Sequence, residues 1–119
     1  QASDPPTLLG NFMPFATAFT DPAPSPEDLT DLPGTVAVEF GVDWCPHCQG
    51  AQPFLHDALQ ERRDITHIKI EDGPGRKLGR HFKVKLWPTL VVLRNGQEIG
   101  RVTRPTSVAA VEQQLPVAI

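Results

Sequence analysis

Two cysteines occur in the 119 residues, Cys45 and Cys48, and their C-x-x-C spacing is the first feature that could do chemistry. Two thiols so placed at the start of a helix lie one turn apart, close enough for one to resolve a mixed disulfide formed on the other. The run Trp44-Cys45-Pro46-His47-Cys48 sits where an apolar, β-branched stretch ends and a helical pattern begins. A thiol at that junction meets the positive end of the helix macrodipole and unpaired backbone N–H groups, and both favour thiolate. Cys45, ahead of the first turn, is expected to be the exposed nucleophile and Cys48 the resolving thiol. Between them Pro46 suits the first helical position. His47 offers a cation or an N–H donor that stabilises the Cys45 thiolate and makes the disulfide more oxidising; its plainer reading is an exposed polar residue. The competing readings of the pair are a structural disulfide, a coincidental pair and a metal site. The metal site would join Cys45, Cys48 and His47 to His56, His67 or His81, but one tight turn does not easily point three donors at one ion. Neither a metal nor an organic cofactor is expected, because thiol–disulfide exchange needs neither.

These thiols must be held by the elements around them. Thr35 to Gly41 is a β-branched, apolar run and reads as a strand. After Cys45, the residues Ala51, Phe54, Leu55, Ala58 and Leu59 fall on one helical face that reaches about Arg62. Ile65 to Ile70 is the next strand, and strand, helix, strand with short joints predicts a parallel pair with a right-handed crossover. Glu39 lies in the middle of the first strand, where an acid is costly without a purpose. Burial would raise its pKa and suit it to accept the proton of Cys48; the alternative is an exposed edge position. Gly73-Pro74-Gly75 makes a turn, and Arg76 to Phe82 reads as a short basic helix. Its cations, with Lys83 and Lys85, read as a solvated face, with an acidic partner as the alternative. Leu90–Leu93 and Ile99–Val102 form a hairpin around Asn95-Gly96, a dipeptide suited to a turn needing two positive φ angles. Thr106 or Ser107 caps a last helix with Val108, Val111 and Leu115 on one face. The predicted fold is α/β, a mixed central sheet sandwiched by helices.

Composition is that of one globular domain, with 39% hydrophobic and 21% charged residues. No apolar run approaches the ~18 residues of a membrane helix, and a net charge of −3 makes no case for nucleic acid. Residues 1–61 carry −9 and residues 62–119 carry +6, a polarity that orients charged partners or simply sorts solvated faces. The chain begins at Gln1, as expected of one processed upstream; a cytoplasmic protein is expected, with the periplasm after signal-peptide removal as the alternative. Seven of the 13 prolines and three of the six phenylalanines lie within residues 1–33. A disordered tail is poor in aromatics, so residues 1–25 are expected to pack on the domain in extended form, with a short edge strand within Leu8–Phe19. Ser25-Pro26-Glu27-Asp28 reads as a capped helix start, placing the domain at residues 26–119.

Several marks together resemble the thioredoxin superfamily over about residues 26–119. They are the strand leading into Trp44-Cys45, Pro53 eight residues after Cys45, Trp87-Pro88-Thr89 before the hairpin, and the Asn95-Gly96 turn. The resemblance implies a thioredoxin fold in which Pro88 is cis and faces the cysteine pair, leaving the backbone of Trp87 free to pair with an extended substrate. It places Glu39 at the family's buried acid, where thioredoxins carry Asp, and makes Lys69 its partner. Pro46-His47 resembles the dipeptide of periplasmic disulfide oxidases, without room here for their helical insertion. Arg104 stands where the family commonly has Gly, and would fill the substrate groove or add charge to it. The implied function is thiol–disulfide exchange with protein dithiol or disulfide substrates and a redox recycling partner, carried out by a monomer. The alternative is a binding or chaperone module whose cysteines are a relic or a metal-holding pair.

Overall fold

The computed structural model describes residues 15–117. Helix α1 (Pro26–Asp31) opens on Ser25, whose hydroxyl accepts from the Asp28 N–H while the Asp28 carboxylate accepts from the Ser25 N–H. That reciprocal cap satisfies donors a helix start leaves unpaired. Strand β1 (Thr35–Gly41) is buried along its whole length and is central in the sheet. It pairs parallel with β2 (Ile65–Glu71) and antiparallel with β3 (Thr89–Arg94), which pairs antiparallel with β4 (Gln97–Thr103). The order is β2-β1-β3-β4. The crossover from β1 to β2 is α2 (Pro46–Leu59), with Pro53 inside it; α3 (Lys77–His81) and α4 (Val108–Glu112) complete the chain. Asn95 and Gly96 turn the β3–β4 hairpin with φ of 53° and 81°, the sign that turn requires.

Alternation along the strands divides the core in two. Val36, Val38 and Phe40 of β1 face one way, packing with Leu29, Ile68 and Leu78. Ala37 faces the other way, with Leu55 and Leu59 of α2, Leu90 of β3 and Val111 of α4. Glu39 shares the parity of Ala37, so it points toward α2, the helix that carries both cysteines. This is the thioredoxin-like α/β sandwich expected. Among the described residues no helix is long and apolar enough to cross a membrane.

The segment before α1 runs along the open side of β2. The Thr20 N–H donates to the Lys69 carbonyl at 2.8 Å, and Phe19 forms an isolated parallel bridge with Lys69. The described end of the expected edge strand is therefore a single bridge, and Leu8–Pro14 lies outside the described residues. Asp21–Pro22 and Trp87–Pro88 are cis.

Candidate active site

Cys45 is the N-cap of α2 and Pro46 its first residue. Both cysteines are free, and with Val42 and Trp87 they form a small apolar cluster at the end of β1. Asp43, Trp44, Pro46 and His47 are exposed around them, but Cys45 itself keeps only 6% of its surface, as does Cys48. The exposed nucleophile of the sequence reading is thus a thiol at a rim, narrowed because Val42 and Trp87 pack against it. Cys48 lies deeper. A Cβ placed on Gly41 would stand 2.7 Å from its Sγ and 3.9 Å from Pro88 Cβ, so glycine lets the sulfur seat against the strand end.

The two thiols are displaced in opposite directions. For Cys45, burial acts upward, but hydrogen bonds from the Cys48 N–H, the Cys48 thiol and the His47 N–H, with the charge of Arg104, outweigh it and bring the pKa below that of an ordinary thiol. The balance favours thiolate at the helix start. Cys48 is pushed up to about 11, first by burial and then by Cys45 and the charge of Glu39, against a backbone hydrogen bond from Val42. His47 contributes through its backbone; among the described residues its exposed ring has no hydrogen-bond partner.

Glu39 is 2% exposed and fully partnered. Its Oε1 lies 3.0 Å from His67 Nε2, and its Oε2 accepts from Gln52 Nε2 at 2.7 Å. Gln52 also donates to the Cys48 carbonyl at 3.2 Å, so the carboxylate is tied to the turn that carries Cys48. Two expectations are corrected here. Burial does push the Glu39 carboxyl upward, but His67, through both its hydrogen bond and its electrostatic effect, then the charge of Lys69 and the Gln52 hydrogen bond bring it below the ordinary carboxylate value. And Lys69, although directly opposite Glu39 in the β1–β2 register, is not its hydrogen-bonded partner. Its Nζ reaches outward to within 5.1 Å of the Phe19 ring centroid. An imidazole is cheaper to bury beside the acid than an ammonium, and a lysine at the sheet edge can carry its charge out to an aromatic face.

Across from the thiols, Trp87 is half-buried and Trp44 is 73% exposed, with their rings edge to face at 5.9 Å. Trp87 Nε1–H donates to Asp72 Oδ2 at 2.8 Å, which fixes the indole. The expectation of a free Trp87 backbone is corrected at its carbonyl, which accepts from Arg104 Nε at 2.8 Å. Arg104 has a φ of 50°, the left-handed conformation that explains why glycine suits this position, and its N–H donates to the Pro88 carbonyl at 2.9 Å. Beside Trp87 a groove of about 320 Å³ is lined by Asp72, Arg76, Arg80 and Lys85, among others; Arg76 is paired with Glu71 at 2.8 Å.

Gln52 and Asp72 carry no motif signal in the sequence, and His67 reads there only as a possible metal ligand. The available signals were positional: Gln52 is one turn after Cys48 on the same helical face, and His67 shares Lys69's strand face. None of the three other histidines, all among the described residues, is placed as a metal ligand with the cysteines: His56 packs on Phe15, His67 bonds Glu39 and His81 packs on Phe82. Among the described residues no group of three or more His, Cys, Asp or Glu side chains is placed to share an ion.

Comparison with known proteins agrees with this geometry. The structure superposes on reduced thioredoxin 2 from Pseudomonas aeruginosa with a TM-score of 0.72 and 49% identity, covering 83% of this chain and 92% of that one. A thioredoxin of Mycobacterium tuberculosis is 31% identical over 81 residues, which is 67% of this chain and 70% of the relative. Thioredoxin H2-1 of rice is 27% identical over 67 residues, 56% of this chain, and the match spans about half of that protein, 49%. The thioredoxin family model matches residues 25–116, and with the fold and the placement of Cys45, Cys48 and Pro88 described above, the chain belongs to the thioredoxin family.

Proposed function

We propose that this protein is a thiol–disulfide oxidoreductase acting on protein disulfides through Cys45 and Cys48. The observation that carries the reading is the placement of two free thiols one helical turn apart, Cys45 capping α2 and Cys48 in its first turn; the displacement of Cys45 toward thiolate and of Cys48 up to about 11 supports it. The Cys45 thiolate attacks one sulfur of a substrate disulfide; the substrate S–S bond breaks, its second sulfur leaves as a thiolate, and a mixed disulfide forms. Cys48 then loses its proton, with the buried Glu39 carboxylate as the acceptor in this reading, and attacks Cys45 Sγ. The Cys45–Cys48 disulfide closes, the substrate leaves as a dithiol, and two electrons have passed to it. A dithiol partner recycles the oxidised pair. Run in reverse, the same steps oxidise a substrate.

In this reading residues 26–119 are the redox domain of a monomer and residues 1–25 its extension. An extended substrate lies along Trp87 and Pro88, and it either displaces Arg104 from the Trp87 carbonyl or uses the guanidinium as a donor. Trp44, Pro46 and His47 shape the rim, while Lys69 adds charge near Glu39. The test is a Cys48→Ser variant, expected to accumulate mixed disulfides that a Cys45→Ser variant does not form; absence of any trapped species from the wild-type substrate pool sinks the reading. Titration of the pair against glutathione gives the direction. A potential near ~−270 mV makes it a reductant suited to the cytoplasm, and one toward ~−120 mV an oxidant suited to the periplasm.

A further inference from the structure

The buried acid is linked by hydrogen bonds to the segment that precedes the domain. The Ala16 N–H donates to His67 Nδ1 at 2.7 Å. Nδ1 therefore uses its lone pair, and the imidazole carries its proton on Nε2, aimed at Glu39 Oε1 3.0 Å away. The two hydrogens of the Gln52 amide are accounted for by Glu39 Oε2 and the Cys48 carbonyl. The chain of contacts thus runs from the Ala16 backbone through an imidazole on β2, a carboxylate on β1 and an amide on α2 to the first turn of the redox helix.

Burial makes this arrangement specific. The His67 and Glu39 side chains are 0% and 2% exposed, so neither can exchange its partner for water without local opening. The Ala16 segment is itself held in place: Phe15 packs with ring centroids 4.9 Å from both His56 and His67, and Thr20 donates to the Lys69 carbonyl. A proton on Nδ1 would set two donors against each other across 2.7 Å, so a bound strap selects the Nε2–H tautomer. The titratable groups facing Glu39 are His67 and Lys69 from β2 and Cys48 from α2; its β3 neighbour is Leu90, and His56 of α2 packs on Phe15 beside Asp57.

We propose that His67 is a positioning residue for disulfide exchange, and that residues 15–20 act as a strap whose Ala16 N–H selects the His67 tautomer that holds Glu39 as a carboxylate beneath Cys48. This rests on the exchange chemistry proposed above. A carboxylate kept ionised is ready to take the Cys48 proton when the mixed disulfide is resolved. Losing the His67 donor leaves a buried acid with one donor fewer, and it takes up a proton at higher pH. Releasing the strap does the same more weakly, because the imidazole is then free to turn its lone pair toward the acid.

The experiment follows Glu39 by carboxylate-carbon NMR in the full chain, together with the rate at which a Cys45–glutathione mixed disulfide is resolved as a function of pH. His67→Leu is expected to raise the Glu39 midpoint and to move the acid limb of the resolution rate upward. At a fixed pH on that limb the rate falls about tenfold, the scale of one lost hydrogen bond to a charged group. His67→Gln, which can both accept from Ala16 and donate to Glu39, is expected to restore most of the profile. Ala16→Pro, which removes the N–H while also fixing φ at residue 16 and restricting Phe15, is expected to shift it in the same direction by less. A folded His67→Leu protein with an unchanged Glu39 midpoint and acid limb overturns the inference. Should His67→Leu not fold, an unchanged limb in Ala16→Pro overturns it. A wild-type protein that forms no mixed disulfide would instead remove the function itself, so the two failures are separable.

Discussion

Substituting Gly41 by Ala tests how tightly the Cys48 thiol is built onto the end of the central strand. The new Cβ would lie 2.7 Å from Cys48 Sγ, about 1 Å inside a comfortable contact of roughly 3.5–4.0 Å. The sulfur has little room to retreat, since Gln52 holds the Cys48 carbonyl and Pro88 Cβ would be 3.9 Å from the added carbon. Overpacking of this kind costs about 1–3 kcal/mol. At about 2 kcal/mol, and roughly 3–5 °C per kcal/mol for a chain of this size, the melting temperature of the reduced protein falls by about 6–10 °C. Gly50 is the internal control, because a Cβ there meets nothing within 4 Å and the residue is exposed within α2. Gly50→Ala is expected to stabilise by about 0.5–1 kcal/mol through helix propensity alone. Calorimetry under reducing conditions reads both. A Gly41→Ala protein as stable as wild type, beside a Gly50→Ala protein that gains stability, would refute the seating of Cys48 against Gly41.

Three further outcomes are expected. Alkylation with iodoacetamide, followed by mass spectrometry of each cysteine, should label Cys45 at a lower pH than a free thiol and spare Cys48 until the pH approaches about 11; a common onset for the two contradicts their opposite displacement. Because the folded Glu39 carboxyl is held below its ordinary value, its contribution to stability is present above the ordinary carboxylate range and lost as the pH falls through the folded value. Wild type should therefore lose stability on acidification more steeply than Glu39→Gln, and parallel acid curves for the two proteins would argue against this. Arg104→Gly exchanges a left-handed side chain, worth about 1 kcal/mol of relief, for the loss of a charged hydrogen bond of about 1.5–3 kcal/mol to the Trp87 carbonyl. The net is a destabilisation of about 1 kcal/mol with the Cys45 thiolate forming at higher pH, checked by denaturant melts and by thiolate absorbance; an unmoved Cys45 titration means its charge does not reach the thiol.

Much of the site was legible because its signals are local. A strand that stops, a cysteine that caps and a helix face that repeats are properties of neighbouring residues, and they place Cys45 and Cys48 at the strand–helix junction before any packing is known. The Asn95-Gly96 turn is legible for the same reason, whereas Pro88 is placed by the resemblance to a known family. Glu39 was legible as an anomaly, since an acid inside an apolar strand asks for a partner, but the identity of that partner was not. Register places Lys69 opposite Glu39, and only the diagonal neighbour His67 has a side chain that can be buried there neutral and still donate.

Residue types and spacing by themselves determined the α/β order of elements, the pair of thiols and the chemistry open to them, because periodicity, caps and turns act within a few residues. Tertiary structure alone decided how that chemistry is tuned. It covered Cys45 with Val42 and Trp87, placed Arg104 on the Trp87 carbonyl, held the Glu39 carboxyl down through His67 and Gln52, and brought Ala16 onto an imidazole 51 positions away. Each is a contact between distant parts of the chain whose strength depends on burial and on which donor reaches which acceptor, and neither is set until the sheet and α2 have closed over them.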